Sequence, residues 1–166
     1  MHSQRNKIAI IGLGYVGLPL AVSFGEKHLT VGFDIDDDRI NELRNNYDRT
    51  REITKEEFVS ASKLTFTGRV DAIRDCKYYI VTVPTPIDEF KKPSFEALIE
   101  ASKIIGKVIS KGAIIIYEST VFPGATEEIC VPVLEKQSHL KFNEDFFCGY
   151  SPERINPGDS THRLAD

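Results

Sequence analysis

Six residues near the amino terminus, Gly12-Leu13-Gly14-Tyr15-Val16-Gly17, have the types and spacing of an anion-binding turn. They follow a short apolar run, Ile8-Ala9-Ile10-Ile11, and open a helix-compatible stretch from Tyr15 to about Lys27. In that setting Gly12 permits a tight turn, Gly14 lets backbone approach a pyrophosphate, and Gly17 allows a helix to pack closely on a sheet. The first amides of the helix, aided by its dipole, then face the anion. The spacing alone would equally suit a glycine-rich turn that binds nothing. Its place between a buried strand and a helix favours a dinucleotide.

Asp34 stands 22 residues after Gly12, at the end of a second apolar run. A carboxylate there can accept hydrogen bonds from adenosine ribose hydroxyls and repels a 2′-phosphate, which selects NAD over NADP. Arg39 argues the other way, because a nearby guanidinium could accommodate that phosphate. Asp36, Asp37 and Asp38 read as a solvated helix start rather than a metal site, since no histidine lies at ligand spacing. His2, His28, His139 and His162 are scattered and form no triad, and no metal is expected. The three cysteines, Cys76, Cys130 and Cys148, are odd in number and lack a CxxC pair, so neither a disulfide framework nor structural zinc is expected. Cys148, in the run Phe146-Phe147-Cys148, reads as a buried small hydrophobe. Unpaired thiols suggest a reducing, cytoplasmic setting.

These residues need elements to position them, and short apolar runs alternate with helical patterns along the chain. Strands are expected at Ile8 to Ile11, Leu29 to Asp34, Leu64 to Phe66, Tyr78 to Val83, Ala113 to Tyr117 and Phe146 to Tyr150. Between them fall a helix from Asp36 to Asn46 and a short one capped by Thr54 with Glu57 three residues on. Ser94 can cap a long helix carrying Phe95, Leu98, Ile99, Ile105, Val108 and Ile109, with Gly112 as its stop. A last helix from about Gly124 to Lys136 must kink or shorten at Pro132. The alternation predicts an α/β fold of Rossmann type: a doubly wound, mostly parallel six-stranded sheet with helices on both faces.

At 166 residues, 41% of them hydrophobic, the chain suits one domain with a real core and is too apolar for disorder. A net charge of −4 gives no electrostatic reason to expect nucleic-acid binding. No apolar run approaches a membrane span, and MHSQRNK does not resemble a signal peptide.

Four segments become informative together: Gly14-Tyr15-Val16-Gly17-Leu18-Pro19, Val83-Pro84-Thr85-Pro86, Glu118-Ser119-Thr120-Val121-Phe122-Pro123-Gly124, and Tyr150-Ser151-Pro152-Glu153-Arg154-Ile155-Asn156-Pro157-Gly158. In this order, at these strand ends, the chain resembles the UDP-glucose/GDP-mannose dehydrogenase family. The likeness covers essentially the whole chain, but only that family's N-terminal NAD-binding domain. The SPERINPG form resembles most the branch that oxidises UDP-N-acetylglucosamine or its galacto epimer for surface polysaccharides. The resemblance implies oxidation of a sugar C6 alcohol to a carboxylate in two NAD-dependent steps, by way of a cysteine thioester that water hydrolyses. It places Thr120 and Glu153 in catalytic roles, where a hydroxyl and a carboxylate position or activate that water. It carries over Tyr15, Val16, Pro84, Thr85, Ser119 and Thr120 as cofactor-loop residues, with Arg39 beside the adenosine ribose. Glu153, Arg154, Ile155 and Asn156 become the loop against substrate and nicotinamide. Read without the resemblance, Ser119 and Thr120 could equally cap a helix, and Glu153 could equally pair with Arg154.

The departures are informative too. The UDP-glucose branch commonly reads NPEF here, with a second glutamate four residues after the first, whereas Arg154 follows Glu153 in this chain and Pro157 takes the later position. The family's catalytic cysteine and lysine fall beyond Asp166, and none of the three cysteines present lies in the matching glycine-rich motif. Residues 1–150 are therefore expected to form the NAD-binding domain and 151–166 the start of the active-site loop and linker, inactive without a second half. Family members dimerise through a central helix after this domain, so the whole protein is expected as a homodimer or higher and this part as a monomer. The alternatives are a free-standing NAD-binding or sensing module, a UDP-glucose or GDP-mannose enzyme, or another β-hydroxyacid-type dehydrogenase, the last disfavoured by SPERINPG.

Overall fold

The computed structural model describes residues 6–74, 76–86, 93–118 and 124–152. Ile8–Ile11 (β1), Thr30–Phe33 (β2), Leu64–Thr67 (β3), Tyr78–Val81 (β4), Ala113–Tyr117 (β5) and Phe146–Tyr150 (β6) form one sheet in the order β3-β2-β1-β4-β5-β6. Every neighbouring pair is parallel, as the alternation predicts. β1 and β2 lie inside the sheet with helices on both faces, so all four residues of each are buried, and the β1 run is apolar without alternation.

The pleat divides the core in two. Ile8 and Ile10 of β1 and Ile80 of β4 meet Leu18, Ala21 and Val22 of Gly17–Lys27 (α1). That face also holds Ile40 and Leu43 of Asp37–Arg44 (α2) and Phe58 of Lys55–Ser60 (α3). Ala9, Ile11, Tyr79, Val81, Ile115 and Tyr117 face the other way. They pack against Leu98, Ala101 and Ile105 of Glu96–Gly106 (α4) and Leu134 of Val131–Ser138 (α5). Local chemistry starts the helices as expected on the first face. Asp36 caps α2 by accepting from the N–H groups of Asp38 and Arg39. Thr54 and Glu57 close a reciprocal capping box on α3, at 3.3 and 2.8 Å.

The second half departs from expectation in three places. Phe95, not Ser94, is the N-cap of α4, and no side chain caps it. Ser94 instead donates its N–H to the Pro86 carbonyl. α4 also stops at Gly106; the amides of Val108 and Ile109 both turn back to the Ile105 carbonyl, which carries those two side chains into the core without further helix. Gly112 adopts φ +84° and serves the turn into β5 rather than the helix end. Pro132 shortens the last α-helix, as expected: a π-helical segment, Thr126–Cys130, precedes α5 and leaves the proline in the first turn of α5. Its missing N–H costs little there.

Candidate functional site

The sheet register assembles the site. Ile11 pairs with Phe33 on one side and Val81 on the other, and Val81 pairs with Tyr117. The residues that follow these four, Gly12, Asp34, Thr82 and Glu118, therefore emerge side by side at the carboxyl edge. Their amides extend the ladder: Gly12 donates to Phe33 at 2.9 Å, Thr82 to Ile11 at 2.9 Å and Glu118 to Val81 at 2.9 Å. β1 and β4 are the neighbours from which the strand order runs in opposite directions, the switch point at which open α/β sheets form a crevice.

A cleft of about 280 Å³ opens there. Gly12, Gly14, Tyr15, Val16 and Asp34 line one side of it, and Pro84 and Thr85 the other. The structure thus brings together seven of the residues expected from sequence. Leu13, Thr82, Val83 and Glu118 also line it and carry no such expectation. Register would have indicated Thr82 and Glu118, but only once strand ends were known to the residue. Ser119, Thr120, Glu153, Arg154, Ile155 and Asn156 lie outside the described residues.

Each glycine of the turn has a separate task. Gly12 adopts φ +95°, a left-handed backbone that favours glycine, and Thr82 Oγ1 ties its carbonyl to β4 at 2.8 Å. A β-carbon on Gly14 would meet nothing within 4 Å, so the protein leaves open the space this residue's backbone faces. Gly17 stands behind the cleft in the buried contact between helix and turn. No side chain caps α1 and no acid occupies its first turn, so its N-terminal amides and positive dipole end have no competing anion from the helix itself. The first bond within the helix runs from the Leu18 N–H to the Gly14 carbonyl, at 3.1 Å.

Asp34 is anchored at both oxygens. Oδ2 accepts the Leu13 N–H at 2.8 Å and Oδ1 accepts the Asp36 N–H at 3.0 Å. A carboxylate oxygen has two acceptor sites, so each keeps one for a vicinal pair of hydroxyls. Arg39 does not take the place expected for it beside the ribose. It is 4% exposed; Nε donates to the Leu13 carbonyl at 2.9 Å and Nη2 to Asp48 Oδ1 at 2.8 Å, so the guanidinium is committed behind the loop. Asp36, beside this site, has its carboxyl held below the usual range by the Arg39 amide and the Arg49 guanidinium.

The set fits a dinucleotide: an open backbone and uncapped helix start for a pyrophosphate, and an anchored carboxylate for a ribose diol. Residues 6–166 match the family described as UDP-glucose/GDP-mannose dehydrogenase family, NAD binding domain. The chain belongs to that family. As its NAD-binding domain, the chain is 62% identical over 159 residues to the UDP-N-acetyl-D-glucosamine 6-dehydrogenase of Pseudomonas aeruginosa, covering 96% of this chain and 38% of that protein. It is 56% identical to the protein of the same name from Salmonella typhi, again covering 96% of this chain and 38% of the relative. Among solved structures, the UDP-D-ManNAc dehydrogenase of Pyrococcus horikoshii superposes with a TM-score of 0.82 at 32% identity, over 92% of this chain and 37% of the other. The chain therefore spans under two-fifths of the length of the curated relatives it matches, in keeping with a cofactor domain. NAD is its cofactor.

Proposed function

We propose that this domain is the cofactor half of a nucleotide-sugar 6-dehydrogenase that oxidises the C6 alcohol of a UDP-N-acetylhexosamine, UDP-N-acetylglucosamine foremost, to a carboxylate. The observation that carries the reading is the 62% identity, over 96% of the chain, to a UDP-N-acetyl-D-glucosamine 6-dehydrogenase. NAD held in this cleft would supply the hydride acceptor for the sugar carbon. The chain's own residues bind and orient it: α1 amides and Gly14 take the pyrophosphate, Asp34 takes the adenosine ribose, and Thr82, Pro84 and Thr85 form the opposite wall. Ser119 and Thr120 serve the same cofactor, and Thr120 with Glu153 handles the hydrolytic water. Arg154, Ile155 and Asn156, with Glu153, are assigned to recognition of the sugar nucleotide. The reaction serves surface polysaccharide synthesis in the cytoplasm, in keeping with three cysteines that form no disulfide, and the whole protein works as a homodimer or larger assembly. Among the described residues, no helix is long and apolar enough to cross a membrane.

The test is turnover of the native polypeptide with NAD and a panel of UDP-glucose, UDP-N-acetylglucosamine and UDP-N-acetylgalactosamine, read as reduced nicotinamide formed per sugar consumed. Two equivalents per hexosamine, with UDP-glucose far slower, is the expected result. Preference for UDP-glucose would remove the hexosamine assignment. In the same assay Glu153→Gln should slow the hydrolytic step and let a covalent sugar adduct accumulate; normal turnover without adduct would remove Glu153 from the mechanism.

A further inference from the structure

Asp48 belongs to no motif, yet its side chain is 1% exposed and collects five donors. Oδ1 accepts from Arg39 Nη2 at 2.8 Å, Thr50 Oγ1 at 2.6 Å and the Thr50 N–H at 3.0 Å. Oδ2 accepts the N–H groups of Glu52 at 2.8 Å and Ile53 at 3.1 Å. With five donors on about four acceptor sites, Oδ1 shared among three of them, the carboxylate is saturated and has no room to turn. It fixes Arg39 so that Nε meets the Leu13 carbonyl at 2.9 Å, while the Leu13 N–H is held by Asp34 Oδ2 at 2.8 Å. One loop residue is thus gripped at its N–H by the ribose carboxylate and at its C=O by a guanidinium that Asp48 aims. Arg39 and Asp34 bond to the two backbone polar groups of a single residue.

We propose that Asp48 is a specificity-determining positioning residue: acting through Arg39, it holds Leu13 in the phosphate-binding loop and keeps the guanidinium away from the ribose 2′ position, so that the site selects NAD over NADP. The inference rests on the cleft being the dinucleotide site. A guanidinium freed from Asp48 keeps only a loose counter-charge, Glu42 Oε2 at 3.7 Å from Nη1, and a 2′-phosphate is the partner its fork geometry fits best. An ion pair that merely supported the fold would, when broken, weaken both cofactors alike.

The experiment is calorimetric titration of the native polypeptide with NAD and with NADP. The wild type binds NAD the more tightly; binding of neither would indict the site itself rather than Asp48. In Asp48→Asn the ratio of the NADP Kd to the NAD Kd should fall by about tenfold, the scale of one new charge-assisted hydrogen bond to the 2′-phosphate. Asp48→Asn combined with Arg39→Gln should return the ratio to its wild-type value, with both affinities reduced. An unchanged ratio in folded Asp48→Asn, or a ratio that stays low without the guanidinium, overturns the proposal. Should Asp48→Asn fail to fold, Arg39→Gln alone decides: NAD affinity about tenfold weaker is expected, and unaltered NAD affinity would mean that Arg39 does not hold the loop.

Discussion

A β-carbon built on Gly17 would stand 1.8 Å from the Gly12 carbonyl oxygen and 2.4 Å from Thr82 Oγ1, whereas one on Gly14 meets open space. Of the two obstacles at Gly17, one is turn backbone and the other a side chain bonded to it, so an added methyl must push α1 away from β1 and β4. Gly17→Ala should therefore destabilise the fold by about 3 kcal/mol or more, seen as a lowered unfolding midpoint with or without NAD. Gly14 has no positive φ to satisfy and no protein neighbour to avoid. Gly14→Ala should keep the midpoint, or raise it by up to about 1 kcal/mol through the unfolded state. Its NAD affinity should nevertheless fall by about tenfold or more as the methyl enters the pyrophosphate space. Denaturant unfolding and cofactor titration of the two variants separate these effects. Equal loss of stability in both would mean that Gly14 is structural, and that the cleft is not where backbone meets phosphate.

At the scale of elements, the loop between α2 and α3 is held by the Asp48 carboxylate, and its protonation should be visible in stability. Burial pushes the Asp48 pKa up, but hydrogen bonds from Thr50, Arg39 and Glu52 more than offset that and leave it below the usual range. The native state thus takes up this proton less readily than the unfolded chain. The contribution is complete above the unfolded value, about 3.9, and is lost as pH falls through the lower native value. Asp48→Asn should be less stable than wild type at neutral pH, with the gap closing below about pH 4 by at most about 1.4 kcal/mol per pH unit, reduced by solvent screening. A gap that is constant with pH would contradict an ionised, hydrogen-bonded Asp48. No spacing rule points to Asp48, because four of its five donors come from an irregular loop whose path only the folded chain defines. The strands are legible for the opposite reason: a parallel strand buried on both faces, such as Ile8–Ile11, leaves an uninterrupted apolar run. The apolar runs at Ala113–Tyr117 and Phe146–Tyr150 also form the strands expected of them, although β5 alternates in burial and β6 lies at the sheet edge. The glycine turn and Asp34 are legible because each does its work through backbone geometry at a strand end. Arg39 is misplaced by sequence reasoning because its distance along the chain from Asp34 says nothing of its burial, and burial decides whether a guanidinium faces ligand or protein. α4 is overextended at its end because Val108 and Ile109 keep helical spacing while their amides already turn back to Ile105.

For the molecule as a whole, the cleft straddles β1 and β4, so a bound dinucleotide joins a first half built on β1 to β3 with a second built on β4 to β6. The second half carries thiols that report on its integrity. Cys130 is buried, and burial pushes its thiol above the ordinary range. Cys148 is half-buried, and its thiol is pushed up to about 12, chiefly by burial and further by Cys130 and Glu127 nearby. Alkylation requires an exposed thiolate, so both should resist labelling at neutral pH until the structure opens. Cys130 lies in the core with Tyr117 and Leu134, beneath α4 and α5, and cannot be uncovered without taking that layer apart. Its labelling should follow the cooperative opening that also destroys the cleft. NAD at about 100 times its Kd should then slow Cys130 alkylation by about 100-fold, the same factor by which it suppresses the open state. Mass spectrometry of the labelled peptides distinguishes this from opening at the edge of the sheet, where β6 follows β5 as the last strand. If NAD slows Cys130 but leaves Cys148 unaffected, β6 opens independently of the cofactor site. If NAD leaves Cys130 unaffected as well, the second half opens without disturbing the cleft, and the switch point does not couple the two halves.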